Sequence, residues 1–388
     1  MAGLTMGRWF TPTRLWLIPP LLAIAAVATG WLPIPEATEI VADRGAPILG
    51  FLIAATLLAE LSSAAGVFEV AAVHCARLAR GSTPLLFILV AVLATLITIT
   101  LGLDTTAVLL TPVVLAMTWR LGLPALPFAV LVVWLANTAS LLLPVSNLTN
   151  LLALQHSHLS TASFAARMAL PELVAVSTTV LYLGLRFRRQ LTGRYPVPDQ
   201  VVPGDPITYR VCAAACVGFA VAVALDVAPW LAATVAALAT VAATAARDRP
   251  RLTFSLIPWR MALAIAALFL LVAALTAHGL GDLITEWAAR SHWQTIVLAA
   301  TTSNVINNLP AYLALENAIP PGGTTNLYEI LLGVNIGPLI TIWGSLATVL
   351  WAARCRAQGV IITPRAFAAI ALPGVPLVLL CTAATLYL

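Results

Sequence analysis

Four polar segments interrupt the long apolar stretches of this sequence. They cover residues 101–112, 136–150, 301–310 and 333–348. Each combines Asn, Ser or Thr with Gly or Pro, so each supplies hydrogen-bonding side chains and frees backbone groups from regular helix pairing. Such side chains can join membrane helices to one another, or they can line a site for a polar solute. Their grouping at corresponding positions favours the solute site.

The candidate substrate-binding residues are mostly the amides and hydroxyls of these segments. They are Asp104, Thr105, Thr106, Asn137, Ser140, Ser146, Asn147, Thr149, Asn150, Ser303, Asn304, Asn307, Asn308, Asn335, Gly337, Thr341 and Ser345. Amide and hydroxyl groups can both donate and accept hydrogen bonds. A ring of them suits a small neutral solute with hydroxyl groups, and it discriminates against one without them because its own polar groups would stay unpaired.

Two acids in apolar sequence are the candidates for proton coupling. A carboxylate at the middle of a membrane is costly and marks a functional position by default. Asp104 lies at a predicted hairpin tip beside Thr105, where an acid could take up and release protons. Glu60 lies near the middle of a predicted span. We predict that Asp104 couples protons, with Glu60 as the competing candidate and pairing to a neighbouring helix as its alternative role.

The composition is that of a polytopic membrane protein. Of the 388 residues, 61% are hydrophobic and 9% are charged, and the mean hydropathy is +0.98. A soluble domain keeps roughly a quarter of its residues charged. The sequence therefore predicts an all-α fold in a lipid bilayer, without cofactor or nucleic-acid partner. The five cysteines have no metal-ligand spacing, so we predict no metal site and interpret the cysteines as packing residues.

Apolar stretches of about 18–25 residues, each long enough to cross roughly 30 Å of hydrocarbon, recur along the chain. Nine spans are predicted near residues 14–34, 46–70, 125–155, 171–188, 209–226, 229–246, 258–277, 328–352 and 366–387. The segments 84–119 and 285–317 are too long for one span and carry a polar break. We interpret both as re-entrant hairpins, which are tolerated only where protein or a water-filled cavity covers them.

The arginines give an orientation. All twenty basic residues are arginine, and with a cytoplasmic N-terminus only Arg44, Arg167 and Arg290 fall outside, which leaves seventeen inside. This asymmetry follows the positive-inside rule and predicts an inner-membrane protein with its N-terminus in the cytoplasm. Arg80 and Arg120 fall on the same side only if the first hairpin enters and leaves by one face.

A shift of 198 residues aligns distant polar motifs without a gap. Pro112 meets Pro310, and Asn137 meets Asn335. The two hairpins open to opposite faces, so we predict inverted repeats over residues 1–195 and 196–388. Each repeat has one re-entrant hairpin and one discontinuous helix. The first hairpin faces the cytoplasm and the second faces outward. Secondary transporters with such repeats bind their solute at the repeat interface.

The four motifs together resemble a known family. They read G-L-D-T-T-A-V-L-L-T-P, N-T-A-S-L-L-L-P-V-S-N-L-T-N, S-N-V-I-N-N-L-P-A-Y-L-A-L-E and N-I-G-P-L-I-T-I-W-G-S-L-A-T. They resemble the bacterial arsenite/antimonite efflux permeases of the ion transporter superfamily, from about Leu57 to Trp351. The resemblance implies the hairpin and broken-helix fold, and export of trivalent arsenic or antimony hydroxides in exchange for protons. In some members it implies a separate cytosolic ATPase subunit.

Departures from the family pattern bear on the coupling ion. Sodium-coupled members of the superfamily usually carry Ser-Asn-Thr at both hairpin tips. Here Ser303 and Asn304 keep that form, whereas the first tip has an acid, Asp104, which fits proton coupling better. Ile342 stands where arsenite permeases often have proline. Our leading hypothesis is a proton-coupled secondary exporter of arsenite and antimonite.

Other functions stay open to different degrees. A sodium/proton exchanger or a small-carboxylate transporter of the same fold is the alternative. A dicarboxylate carrier should have a cation near the site, and the four motifs contain no arginine. The sequence has no HExxH, no GxSxG and no paired catalytic carboxylates, which disfavours an enzyme. A passive channel remains compatible with the sequence.

Overall fold

The computed structural model describes residues 17–280, 292–316, 319 and 324–387. The first sixteen residues, the start of the second predicted hairpin at 285–291 and its last residue, 317, lie outside the described residues. Within the described part the chain is helical, and its one β-bridge pairs Ser82 with Arg194. The predicted all-α fold is confirmed.

The helices are labelled here in chain order. They are α1 Ile18–Ala28, α2 Ile34–Ala64, α3 Val67–Leu78, α4 Thr83–Leu101, α5 residues 103–120, α6 Ala125–Thr138, α7 Leu148–Ser157, α8 Thr161–Arg186, α9 Pro206–Ala224, α10 Pro229–Arg247, α11 Trp259–Leu275, α12 His292–Ile306, α13 Asn308–Glu316, α14 Thr324–Ile336, α15 Leu346–Ala357 and α16 Pro364–Ala384. Among the described residues, seven helices are long and apolar enough to cross a membrane. Together with the apolar side chains exposed on α8 and α10, this makes the chain a multi-pass membrane protein.

Two span boundaries differ from those predicted. The predicted span 46–70 is helix α2, which starts earlier and stops at Ala64, because Gly66 takes a φ of 86° and the chain restarts as α3. The predicted span 171–188 is part of α8, which begins ten residues earlier, where the Ser160 hydroxyl caps the helix by accepting from Ser163 N–H. Pro171 looked like a helix start but lies inside α8.

The first hairpin consists of α4 and α5, which meet at Gly102 with φ 89° and ψ 161°. Its two ends lie on the same side of the molecule. Thr83 N–H, at the start of α4, donates to the Gly193 carbonyl at 3.4 Å. Arg120, at the end of α5, lines a surface cavity together with residues 198–201 of the same loop. The first hairpin therefore enters and leaves by one face, as predicted.

The second hairpin consists of α12 and α13, which meet at Asn307 with φ 84°. Helix α12 runs parallel to α14, because Gly333 lies against Ala299 and Gly337 lies against Ala300 further along both helices. Helix α14 follows α13 after a short connection. The chain leaving α13 at Glu316 therefore returns to the end of the molecule where α12 begins.

Both predicted broken helices are present. The first is α6 and α7, separated by residues 139–147, and the second is α14 and α15, separated by residues 337–345. The first residues of the two breaks are 198 residues apart, and so are the last residues, which agrees with the sequence shift. The turns of the two hairpins, Gly102 and Asn307, are 205 residues apart. The second turn therefore lies closer to Pro310 than the first turn lies to Pro112. The inverted repeats themselves stay a prediction.

The loops that carry the arginines pack against each other at one end of the molecule. Arg247 pairs with Asp205 at 3.3 Å, and Arg251 donates to the Ala64 carbonyl at 2.6 Å. Arg77 donates to the Pro198 carbonyl at 3.2 Å. This arginine-rich end is the one that the positive-inside rule assigns to the cytoplasm.

Gly337 is required for the close packing of α12 on the second break. A Cβ atom at Gly337 would lie 2.5 Å from both Cα and Cβ of Ala300. Overpacking of this kind costs about 1–3 kcal/mol. We expect Gly337→Ala to lower the melting temperature of the detergent-solubilised protein. Gly218→Ala on α9 is the matched control, since a Cβ there meets nothing within 4 Å. Equal melting temperatures for the two variants would contradict this packing role.

Candidate functional site

A cavity of ≈170 Å³ lies between α2, the turn of the first hairpin and the first helix break. One water needs about 10–15 Å³ measured in this way, so the cavity has room for a small polar solute. Its lining residues are Phe51, Leu52, Ala55, Thr56, Ala59, Glu60, Leu101, Gly102, Leu103, Asp104, Thr105, Val108, Leu109, Val145, Ser146, Asn147, Leu148, Pro258, Met261 and Leu350. Pro258 and Met261 adjoin the arginine-rich end.

Both candidate acids line this cavity. Glu60 and Asp104 are half-buried, and neither makes a hydrogen bond or ion pair with any residue that the structure describes. The described residues that line the cavity include no arginine or histidine. The carboxyl groups are therefore free to bind a proton, a cation or a hydroxyl-bearing solute.

The turn of the first hairpin presents Asp104 to the cavity. A Cβ atom at Gly102 would lie 3.3 Å from the Val145 carbonyl, so glycine lets the turn approach the first break. Inside the hairpin, the Thr98 and Thr106 hydroxyls are 2.8 Å apart, and Thr105 donates to the Leu101 carbonyl at 2.8 Å. These threonines fix the turn by bonding to the hairpin itself, and Thr106 does not line the cavity.

Asn335 is the centre of a buried polar cluster that joins the two breaks. Its Oδ1 accepts from Asn147 Nδ2 at 3.0 Å and from Thr149 Oγ1 at 2.8 Å. Its Nδ2 donates to Asn150 Oδ1 at 2.8 Å and to the Ser140 carbonyl at 3.3 Å. We call these five residues the asparagine cluster. Its polar groups bond to each other, and of its members only Asn147 lines the cavity.

Side chains of the breaks also satisfy the backbone locally. Asn150 Nδ2 donates to the Ser140 carbonyl at 2.7 Å and to the Leu143 carbonyl at 3.2 Å. Asn147 caps α7, and Ser345 caps α15 by accepting from Thr348 N–H at 3.2 Å. Such caps pair N–H groups that a helix start leaves free. The same residue types that suggested a solute site therefore explain why the helices restart there.

Asn137 does not mirror Asn335. It is fully buried, and its Nδ2 donates to the Val133 carbonyl of its own helix at 2.9 Å. Its Oδ1 has no partner among the described residues. The 198-residue shift gave the two asparagines equivalent positions, but Asn335 joins the two breaks whereas Asn137 bonds within α6.

The second hairpin turn bonds to the second break. Asn304 Nδ2 donates to the Gly337 carbonyl at 2.7 Å, and its Oδ1 accepts from Thr341 N–H at 2.9 Å. Asn307 Nδ2 donates to the Trp343 carbonyl at 3.0 Å. The remaining candidates here are also bonded: Ser303 donates to the Ala299 carbonyl at 2.6 Å, and Asn308 N–H donates to the Gly344 carbonyl at 2.8 Å.

Most of the predicted site residues therefore form three groups rather than one ring, whereas Thr106, Asn137 and Ser345 bond locally. Asp104, Thr105, Ser146 and Asn147 line the cavity together with Glu60. The asparagine cluster holds the breaks together, and the group around Asn304 ties the second hairpin to the second break. No described residue of the second hairpin lines this cavity.

Glu172 was not among the residues predicted for the site. In the structure Glu172 is buried within α8, and its Oε2 accepts from Leu141 N–H of the first break at 2.9 Å. Its Oε1 has no partner among the described residues. The signal that could have found it is the Ser160–Ser163 cap, which starts α8 early enough to carry Glu172 inside.

Two further acids that were not predicted as site residues are also buried. Glu316 pairs with Arg44 of α2 and lies 3.5 Å from His156 Nδ1. Glu329 accepts from Tyr387 Oη at 2.8 Å and lies 2.6 Å from His292 Nδ1. Both lie at the end of the molecule away from the arginine-rich loops. Among the described residues no cluster of acids, histidines and cysteines could hold a metal ion.

Comparison with known proteins places the chain among membrane transporters. The family model described as "Citrate transporter" (CitMHS) matches residues 9–328. The "Arsenical pump membrane protein" of Yersinia enterocolitica is 30% identical over 82% of this chain and 80% of its own length. The protein of that name from Escherichia coli strain K12 is 30% identical over 85% of this chain and 83% of its own length.

A solved structure shares the fold. The crystal structure of the Alcanivorax borkumensis YdaH transporter, described as having an unusual topology, superposes with a TM-score of 0.59. It covers 97% of this chain and 98% of that protein, at 16% sequence identity. At that identity the likeness supports the fold alone.

Replacing Asn335 should destabilise the protein more than replacing Asn137, because only Asn335 belongs to the asparagine cluster. Asn335→Leu removes the Asn335 bonds of Asn147 Nδ2, Thr149 Oγ1 and Asn150 Oδ1, and each buried group that is left unpaired costs about 1–3 kcal/mol. Asn137→Leu removes one bond worth about 0.5–1.5 kcal/mol. We expect the Asn335 variant to lose clearly more thermal stability when both are melted in the same detergent. The role given to Asn335 is wrong if the Asn137 variant loses as much.

Proposed function

This chain belongs to the citrate transporter family and, within it, with the arsenical pump membrane proteins, and we propose that it exports trivalent arsenic and antimony hydroxides in exchange for protons. The observation that carries the proposal is the cavity in which Glu60 and Asp104 face a small volume, without a bonding partner among the described residues. The names of the relatives suggest an arsenical as the cargo. The chemistry of the cavity lining favours a neutral hydroxide over a carboxylate.

A neutral hydroxide fits the lining of this cavity. Arsenous acid is uncharged at pH 7 and carries three hydroxyl groups on a pyramid. The hydroxyl oxygens of Thr56 and Ser146 can accept hydrogen bonds from these hydroxyl groups, although their own protons are donated to the Leu52 and Leu143 carbonyls. The two carboxylates accept hydrogen bonds as well. Citrate, by contrast, would bring further negative charge beside Glu60 and Asp104, where the described lining supplies no cation. The charge of the cavity therefore favours the arsenical cargo over the carboxylate named by the family model.

Exchange with a proton follows from competition for one carboxylate. In its ionised form Asp104 accepts a hydrogen bond from a cargo hydroxyl that enters from the arginine-rich, cytoplasmic end. When a proton arrives from the outer side, the carboxylate loses its charge, its hold on the cargo weakens and the cargo leaves. A neutral cargo exchanged for one proton moves one charge, worth about 2.3 kcal/mol per 100 mV of membrane potential.

A sodium/proton exchanger is the second candidate, because two unpaired carboxylates with nearby hydroxyl and amide oxygens also suit a monovalent cation. The two proposals differ in what accumulates. Export of the hydroxides predicts uptake of arsenite and antimonite by everted vesicles, whereas sodium exchange predicts uptake of sodium.

Dependence on a cytosolic ATPase subunit, which the family resemblance implies for some members, stays a prediction. Uptake measured without ATP tests it.

Asp104→Asn is the variant that tests the coupling. It keeps the size and much of the hydrogen bonding of the side chain but cannot titrate, so we expect arsenite accumulation in everted vesicles to become independent of an imposed pH gradient. Glu60→Gln should keep a response to the gradient. Glu69→Gln is the control, since Glu69 pairs with Arg120 at 3.2 Å away from this cavity. If Glu60→Gln loses the response and Asp104→Asn keeps it, the proton binds at Glu60.

A further inference from the structure

Two cysteines of α9 face the same turn of α2. Cys212 and Cys216 are four residues apart, which places their side chains on one helix face with Cβ atoms about 5–6 Å apart. Cys216 Sγ lies 3.2 Å from Ser62 Oγ, and Cys212 Sγ lies 3.9 Å from the Leu61 carbonyl. Both are free thiols. The sequence alone suggested packing for them, but the structure brings two thiols and a hydroxyl to one place.

A polar cavity at the arginine-rich end leads toward this pair. The cavity has a volume of ≈500 Å³ and is lined by Leu61, Asp205, Thr208 and Arg247, among others. Thr208 lies one helical turn before Cys212 on the same face of α9, and Leu61 contacts Cys212 directly. The Arg247 guanidinium beside Asp205 holds the pKa of that carboxyl well below its usual value, so Asp205 stays ionised near neutral pH. A neutral solute entering this cavity reaches Leu61 and Thr208, which adjoin the buried Cys212.

We propose that Cys212, Cys216 and Ser62 form a second site for trivalent arsenic and antimony, separate from the transport cavity. Soft thiolate ligands select soft metal ions, and trivalent arsenic shares this preference. In the reaction two As–S bonds form and two As–O bonds break. Each thiol proton leaves with one hydroxyl group as water, and arsenic stays trivalent. The third hydroxyl group remains on arsenic, within reach of the Ser62 hydroxyl.

The position of the pair gives the site a regulatory role. Helix α2 carries Ser62 at the thiols and, two residues earlier, Glu60 at the transport cavity. A bound arsenic atom, held by two bonds to α9, would hydrogen-bond through its remaining hydroxyl group to Ser62 of α2 and so restrain the wall that carries Glu60. A thiol site releases arsenic slowly, so it suits a sensor of cytoplasmic arsenic better than a step of transport. This role rests on the proposed cargo, whereas binding of arsenic by the thiols does not.

The test uses phenylarsine oxide and intact-protein mass spectrometry on the full-length protein in detergent. The background variant carries Cys75→Ser, Cys355→Ser and Cys381→Ser, so only the pair remains. We expect one adduct that survives excess 2-mercaptoethanol and is removed by dithiothreitol, because only a dithiol competes with a two-point attachment. Adding Cys212→Ser or Cys216→Ser should lower the retained adduct at least tenfold. The complementary control keeps Cys75 as its only cysteine, with the other four replaced by serine, and should give no retained adduct.

An adduct retained at full level in the Cys212→Ser protein, or none in the background variant, overturns the proposal. Melting curves of the same samples verify that the serine variants are folded. Arsenite uptake by everted vesicles separates the two inferences. If the Cys212→Ser, Cys216→Ser protein takes up arsenite and the background variant forms no adduct, the thiol site alone is refuted. A dithiothreitol-sensitive adduct in a protein that does not transport arsenite refutes the proposed function alone.

Discussion

Interrupting two helices inside a membrane leaves backbone N–H and C=O groups without helical partners, and there is no water in the hydrocarbon to pair with them. Satisfying these groups is the constraint on which this structure depends. Asn150 pairs carbonyls of the first break, Glu172 accepts from Leu141 N–H, and Asn304 pairs both a carbonyl and an N–H of the second break. Asn335 then connects the two breaks to each other.

This constraint determines where a solute can bind. Most of the polar side chains at the breaks are occupied by the backbone or by each other, so they are unavailable to a cargo in this conformation. The cavity beside the first hairpin is different, because Glu60 and Asp104 line it and bond to no residue in the described part of the chain. The glycine at residue 102 allows the hairpin turn to close one wall of that cavity against the first break. The rigid asparagine cluster supports the other wall through Asn147.

The sequence predicted the hairpins and breaks well because their signals are local. Gly102, Gly337 and the asparagines mark where a helix must stop, and a break needs such residues wherever it occurs. It could not predict which polar groups stay free, since the partners are distant in the chain. Asn335 bonds to residues near position 150, and Glu316 pairs with Arg44. The predicted start of α8 was wrong. The span was predicted to begin at Pro171, whereas the cap at Ser160 starts the helix ten residues earlier.

The central claim is that the cargo binds between the first hairpin and α2 rather than at the second hairpin. Antimony is a heavy scatterer, so crystals grown with antimonite and measured for anomalous scattering locate the cargo directly. We expect an anomalous peak within the cavity bounded by Glu60, Asp104 and Ser146, and this peak should weaken in crystals of the Asp104→Asn protein. A peak beside Asn304 and Thr341, with none in this cavity, would contradict it.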